Sequence, residues 1–215
     1  MDFLKKNRFR VAAVLVIILG IGIAYFTWGY LHPLPETTDF KSNTFSFTYP
    51  RTYYAKEYAA GVVSIGIGND ATIVPYIEVS RYKSDPESAQ PKSFDEFIKR
   101  QAGALCGADG PIESVMCTEV GETPYTNANG EDGVKLDLTL VRKNLKTATT
   151  STSTYGPMYV FNVTPKPTAD APLHYAAVFI YPSLSAFLHG TTTPELEQQI
   201  VSTFKVPGGV QRGVK

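Results

Sequence analysis

Cysteine and histidine are scarce in this sequence, which limits the metal chemistry open to it. Its 215 residues include two cysteines and three histidines. A structural zinc site needs four ligands, most of them cysteine or histidine side chains. Cys106 and Cys117 lie near each other along the chain, but His32 belongs to an earlier segment, and His174 and His189 follow far downstream. We therefore predict no metal site and no cofactor.

An excess of basic residues is also missing. Lysine and arginine together number 20, and so do aspartate and glutamate. The first ten residues hold four of the basic residues and one of the acidic ones, so the rest of the chain carries a net charge of about −3. A mildly acidic body without a basic stripe is not typical of proteins that bind nucleic acids. We predict no nucleic-acid partner.

The sequence contains no strong catalytic motif. The nucleophile elbow G-x-S-x-G, the zinc-protease motif H-E-x-x-H and the Walker loop do not occur in it. The G-x-G within GIGND, residues 66–70, joins two predicted strands and does not open a helix, as a phosphate-binding loop would. We therefore assign no catalytic or cofactor-binding residue.

What the sequence does contain is a run of 21 residues without charge, from Val11 to Leu31. As a helix this run spans roughly 31 Å, about the thickness of the hydrocarbon core of a bilayer. Basic residues precede it, and aromatic residues crowd its far end. A cleaved signal peptide would have a shorter apolar region and a small-residue cleavage site. We expect a single-pass anchor in the cell membrane, with the N-terminus in the cytoplasm and the C-terminal domain outside.

This expected location bears on Cys106 and Cys117. Outside the cytoplasm thiols tend to oxidise, and an even number of cysteines there indicates a disulfide. Cys106 falls on the last turn of a predicted helix, and Cys117 lies in a strand that would fold back on the helix end. We predict that the two form a disulfide with Cα atoms within about 7 Å of each other. Such a bridge, closing a loop of about a dozen residues, stabilises a fold by roughly 2–3 kcal/mol.

Alternating apolar residues predict the strands of this domain. In TFSFTYP they place Phe45, Phe47 and Tyr49 on one face of a first strand. Pro75 lies inside a later strand and indicates an edge position or a bulge. The serine- and threonine-rich segment 147–157 is expected to be a mobile, exposed loop.

Two segments have the apolar stripe of an amphipathic helix. The first, SFDEFIKRQAGALCG, begins with a capping box formed by Ser93 and Glu96. The second, PELEQQIVSTFKV, begins at Pro194 with Thr193 as its cap. Strands and helices together predict an α+β fold. It has a mostly antiparallel sheet of about six to seven strands, flanked by two amphipathic helices and preceded by one N-terminal transmembrane helix.

The same patterns divide the chain into five parts. They are a cytoplasmic tail (1–10), a transmembrane anchor (11–31), a linker (32–43), an extracytoplasmic α+β domain (44–206) and a disordered tail (207–215). A fragment of residues 38–208 is expected to fold as a soluble monomer, because both helices have a polar face as well as an apolar one.

One loop offers several oxygen ligands. NANGEDG, from Asn127, is loosely similar to a calcium-binding loop. Such a loop has glycine at its sixth position and glutamate at its twelfth, where this chain has Asp132 and Leu138. We therefore predict a hairpin turn instead.

Three motifs together resemble one family. FSFTYPRTY (45–53) is similar to the opening strand of PsbP-like domains, SFDEFIKR (93–100) to their central helix and ELEQQIVSTFKV (195–206) to their terminal helix. Thr52 and Tyr53 stand where that family often has a tryptophan. The resemblance implies an α/β/α sandwich with an antiparallel sheet, which serves as an accessory or lipoprotein-type domain and usually has no enzymatic activity. It assigns no cofactor-binding residue.

Three classes of function stay open. We favour a membrane-anchored accessory domain of the bacterial cell envelope, which acts through contacts with an envelope protein or weak ligand binding. One alternative is a thiol-dependent envelope enzyme, in which Cys106 or Cys117 would act with His174, although a disulfide would leave no thiolate. The other is a small-ligand binding domain, which a pocket with converging polar groups would favour.

Overall fold

The computed structural model describes residues 17–18, 36–69, 71–84, 91–109, 113–165 and 174–206. The chain divides into two units, Met1–Glu36 and Thr37–Lys215. In the first unit only Ile17, Ile18 and Glu36 are described, and the two isoleucines are helical. Every strand and helix named below belongs to the second unit.

Ten strands and three helices form in the described part of the second unit. They are β1 (Thr37–Lys41), β2 (Ser46–Pro50), β3 (Tyr54–Ala59), β4 (Val62–Gly68), β5 (Ile73–Lys83), α1 (Phe94–Cys106), β6 (Ala108–Asp109), β7 (Glu113–Thr126), β8 (Asp132–Asn144), β9 (Thr150–Asn162), β10 (Ala176–Pro182), α2 (Leu184–Leu188) and α3 (Pro194–Thr203). Strands β1 and β2 form a two-stranded sheet. The other eight form one antiparallel sheet in the order β3-β4-β5-β10-β9-β8-β7-β6.

The eight-stranded sheet buries a hydrophobic core on each face. Strand β10, inside the sheet, is buried along its whole length, and its successive side chains point to opposite faces. Val178 and Ile180 pack on the side of α3, whereas Ala177 and Phe179 pack on the side of α1. We call these clusters the α3-side core and the α1-side core. The β1–β2 hairpin adds Phe45 and Phe47, the buried face predicted for the first strand, to the α3-side core.

The predicted sheet of about six to seven strands with two helices is wrong. Strand β1 forms within residues 32–43, which the sequence assigns to a linker, and pairs along its length with β2. Strand β9 begins at Thr150, inside the segment predicted as a mobile loop. Its first five residues are exposed as expected, but β-branched threonine suits an extended chain, and they pair with β8. Helix α2 has five residues, too few to show a helical period.

The prediction of a membrane-spanning helix is also corrected. Among the residues that the structure describes, no helix is both long enough and apolar enough to cross a membrane. The longest of them, α1, has 13 residues and extends roughly 20 Å, against the roughly 30 Å of a hydrocarbon core. The predicted span 11–31 lies outside the described residues except for Ile17 and Ile18. The lack of a membrane-spanning helix among the described residues contradicts the predicted location as a single-pass membrane protein with an external domain.

The two edges of the large sheet are poorly suited to pairing with another chain. At one edge β6 has only two residues and pairs with β7 only at Ser114 and Val115, and the rest of β7 carries Pro124 and a register shift between Cys117 and Val120. At the other, β3 carries Lys56 and Glu57, and its pairing with β4 is interrupted by a register shift between Glu57 and Ala59. Short strands, charges and bulges all hinder the addition of a further strand. Contacts with a partner are therefore to be sought on another surface.

Candidate functional site

The two cysteines that the sequence assigns to a disulfide are joined in the structure. Cys106 is the last residue of α1, and Cys117 lies in β7. Their Cα atoms are 5.7 Å apart, and Cys106 is fully buried in the α1-side core. The bond therefore fixes the end of α1 to the sheet.

The disulfide uses both thiols that a thiol enzyme would need. A disulfide sulfur is not a thiolate, so neither cysteine can act as a nucleophile in this state. His174, the residue proposed to act with them, is half-buried just before β10, and its Nδ1 has no hydrogen-bond partner among the described residues. His189 lies at the end of α2, with Nδ1 2.7 Å from the carbonyl oxygen of Ser185. His32 lies outside the described residues, within which no three His, Cys, Asp or Glu side chains gather as metal ligands would.

The turn predicted at Asn127 forms, and it has a role that the sequence did not show. The Asn127 side-chain amide donates to the carbonyl oxygens of Val201, at 3.1 Å, and Phe204, at 2.8 Å. The Asn129 amide donates to those of Ser202, at 3.3 Å, and Phe204, at 3.2 Å. Carbonyl groups at a helix end lack partners within the helix. The β7–β8 turn therefore caps the C-terminal end of α3.

A groove of about 450 Å³ lies where this turn, the β1–β2 hairpin and the end of α3 meet. We call it the hairpin groove. Its walls come from Asp39–Lys41, Ser46–Thr48, Ala128–Asn129, Ser202–Thr203 and Lys205. Among them, the rings of Phe40 and Phe47 stack with 5.1 Å between their centroids. Phe47 is buried, whereas Phe40 is half-buried.

Hydrogen bonds between wall residues connect the elements that form the groove. The Thr203 hydroxyl accepts from the Thr48 amide at 3.0 Å and donates to the Gln199 carbonyl at 2.8 Å. Ser46 and Lys205 exchange two backbone hydrogen bonds, of 3.0 and 2.9 Å. The Lys205 side chain is exposed and makes no ion pair with the described residues. Hydrogen bonds thus join the walls of the groove, and within the described part of the chain Lys205 is a cation without an ion-pair partner.

Glu197 is an ionisable residue of α3 that the sequence did not reveal. Its side chain lies in the α3–sheet interface and is 5% exposed, and its Oε1 has no hydrogen-bond partner among the described residues. Burial raises the pKa of Glu197 to about 8, with Lys135 opposing this rise and Asp137 adding to it. A signal was present, because Glu197 precedes Ile200 by three residues and Val201 by four. It therefore shares the buried side of the helix with them.

A second polar cluster lies on the other face of the sheet, beside the α1-side core. The Tyr181 hydroxyl donates to Glu78 Oε2 at 3.2 Å and lies 3.1 Å from the Ser80 hydroxyl. These groups satisfy one another, so packing alone accounts for them. Glu197 differs, because one of its buried oxygens has no such partner in the part of the chain that the structure describes.

Comparisons with protein-family models and with curated proteins identify no relative of this chain. No protein-family model matches the chain, and no curated protein matches it. The resemblance to PsbP-like domains therefore stays a prediction from the three sequence motifs.

Proposed function

We propose that residues 37–206 form an accessory binding domain that contacts a partner protein through the hairpin groove. The observation that supports this is the groove itself, in which three separate parts of the chain meet. Its lining combines the aromatic residues Phe40 and Phe47 with the charged residues Asp39, Lys41 and Lys205. Aromatic residues are enriched at protein interfaces, and charged residues are common at their rims.

Small-ligand binding is the second candidate, since hydroxyl and amide groups converge in the groove. The side chains of Asn129, Ser202 and Thr203, however, already bond to backbone carbonyls of the fold. These three side chains are therefore engaged in the fold itself. A protein partner can use the whole surface, including the exposed Lys205, and so we favour protein contact.

A thiol-dependent enzyme is the third candidate and applies only to the reduced protein, because both cysteines lie in the disulfide. The resemblance to PsbP-like domains implies an accessory role of the kind proposed here. It supports the first candidate without naming a partner.

Site-specific photocrosslinking tests the proposal. A photoreactive amino acid replaces Lys41, which is exposed in the groove, or Lys143, which is exposed on β8 and is not among the groove's residues. In cells that make the full chain, we expect the Lys41 position to crosslink one recurrent protein and the Lys143 position not to. Phe40→Ala and Lys205→Glu should weaken that crosslink. Equal yields from both positions, or no adduct from Lys41 in a folded protein, would contradict protein binding at the groove.

A further inference from the structure

Helix α3 carries the contacts that shape the hairpin groove. Thr203 bonds to Thr48 of β2, and the segment after the helix pairs Lys205 with Ser46. The Phe204 carbonyl oxygen receives the side-chain amides of the β7–β8 turn. A displacement of α3 along the sheet must therefore alter two walls of the groove together.

The N-terminal end of the same helix is incompletely bonded. Thr193 is the N-cap residue, but its side chain makes no capping bond, and its Oγ1 is buried without a partner among the described residues. One turn later Glu197 Oε1 is also buried without a partner. Buried polar atoms without hydrogen bonds are costly, so this end is the part of α3 that is held least well.

Among the residues that the structure describes, none is a dedicated counter-ion for Glu197. From β8 it faces Lys135 and Asp137, whose charged groups pair with each other at 3.8 Å. From β9 it interacts electrostatically with Tyr155 and Tyr159, neither of which carries a positive charge. On α3 itself, Glu195 is a second acidic residue in the first turn. A neutral carboxyl group is tolerated in such a place, whereas a carboxylate needs donors or water.

We propose that Glu197 is a protonation-dependent latch, which holds the first turns of α3 on the sheet when neutral and releases them when ionised. Release would loosen the walls that α3 contributes to the hairpin groove and weaken partner binding there. That last consequence rests on the proposed function. The latch itself rests on the burial of Glu197, on the two unpartnered atoms and on the shared Lys135.

The first experiment follows the side-chain carboxyl carbon of Glu197 by NMR in the full chain as the pH is raised. We expect its titration midpoint near pH 8, together with chemical-shift changes in the amides of α3. A midpoint near the ordinary glutamate value of about 4.3 would overturn the latch. This reading uses the unmodified protein, so it does not depend on whether a variant folds.

The second experiment measures hydrogen exchange of the Thr48 and Lys205 amides, whose acceptors are Thr203 and Ser46. Between pH 6 and pH 9, after correction for intrinsic exchange, their protection should fall roughly ten- to a hundredfold if release restores an ordinary glutamate pKa. In Glu197→Gln the protection should not change, whereas the control Glu195→Gln, at an exposed position, should behave like the wild type. Glu197→Met serves if the glutamine variant does not fold.

An equal fall in the wild type and in Glu197→Gln, or no fall in either, would overturn the latch. Neither experiment involves a partner. The two proposals are therefore tested separately. NMR and hydrogen exchange can overturn the latch while crosslinking at Lys41 supports protein binding, and crosslinking can contradict protein binding while the other two experiments support the latch.

Discussion

Helices α1 and α3 cover opposite faces of one sheet, but they are held there by different means. Helix α1 is secured by residues close to it in sequence. The Ser93 hydroxyl accepts from the Glu96 amide at 3.1 Å, and Glu96 in turn accepts from the Lys92 amide at 2.8 Å. At its other end, the disulfide to Cys117 crosses only 11 positions of the chain. Its buried residues are all apolar or part of that bridge.

Helix α3 depends instead on residues far away in sequence. Its carbonyl groups are capped by Asn127 and Asn129, more than 70 positions earlier. Its first turns have no side-chain cap and bury Glu197. The α1 side is thus a locally stabilised scaffold, whereas the α3 side can be moved by changes elsewhere in the molecule. The hairpin groove lies on the α3 side.

The largest expected effect concerns pH. The native pKa of Glu197, about 8, lies above the ordinary value of about 4.3, so the folded protein binds the proton more tightly than the unfolded chain. Its contribution to stability is therefore complete below about pH 4 and is lost as pH rises towards 8. The loss is roughly 5 kcal/mol at most. Urea unfolding from pH 5 to pH 9 should show this decline in the wild type and a flatter curve in Glu197→Gln. If the free energy of unfolding of Glu197→Gln fell with pH as steeply as that of the wild type, the pH dependence would not come from Glu197. Glu197 would then not explain the difference between the α1 side and the α3 side.

The next effect acts on the α1 side. Cys117→Ser removes the bridge and should lower the free energy of unfolding by roughly 2–3 kcal/mol while leaving the fold intact. Reduction of the wild type by a thiol reagent is the matched control and should give the same loss. Crosslinking at the Lys41 position should be unchanged, because the groove lies on the other side of the sheet. A loss of that crosslink in a folded Cys117→Ser protein would contradict this independence of the groove from the α1 side.

A smaller effect is expected at the cap of α3. Asn127→Ala removes donors to the Val201 and Phe204 carbonyls from a site that is 6% exposed, and should cost about 1–3 kcal/mol. Asn144→Ala is the control, since the Asn144 side chain accepts only from Lys146 and Thr147 in its own turn. Chemical denaturation of both variants compares them. If Asn144→Ala lowers the free energy of unfolding as much as Asn127→Ala does, the hydrogen bonds from the β7–β8 turn to α3 stabilise the fold no more than those within a local turn.

The smallest change in stability is expected when the N-cap residue of α1 or of α3 is replaced by alanine. Ser93→Ala should lower the free energy of unfolding by about 1 kcal/mol, because the Ser93 hydroxyl accepts a hydrogen bond from the Glu96 amide in the first turn of α1. Thr193→Ala should cost less, since the Thr193 side chain makes no capping bond. Thermal unfolding of the two variants under one condition gives the comparison. A larger loss of stability for Thr193→Ala than for Ser93→Ala would contradict the account, because the N-cap of α3 would then contribute more than that of α1.

The sequence predicted those features that short-range chemistry determines. The capping box at Ser93, the turn at Asn127 and the pairing of Cys106 with Cys117 each depend on residues no more than 11 positions apart. Strand β1 was missed because its stability comes from pairing with β2, and β9 because threonine and serine suit both loops and strands. The predicted membrane span rested on one apolar run that lies almost wholly outside the described residues.

The hairpin groove could not be predicted, for a related reason. Its walls come from residues near positions 40, 129 and 203, which only the folded chain brings together. Glu197 could have been suspected from its place beside Ile200 and Val201. That its Oε1 has no hydrogen-bond partner among the described residues depends, however, on what β8 and β9 place opposite it, and no local pattern records that.

Hydrogen exchange of α1 and α3, followed in one sample at pH 6 and pH 9, tests the contrast between the two helices most directly. After correction for intrinsic exchange, the amides of Leu196–Val201 should lose protection roughly tenfold or more at the higher pH. The amides of Ile98–Ala102 that exchange through local opening should keep theirs, because α1 buries no unpaired acid, whereas any that exchange only on global unfolding should follow the overall loss of stability. A loss in the locally exchanging amides of α1 equal to that in α3, or full protection of α3 at pH 9, would contradict the account.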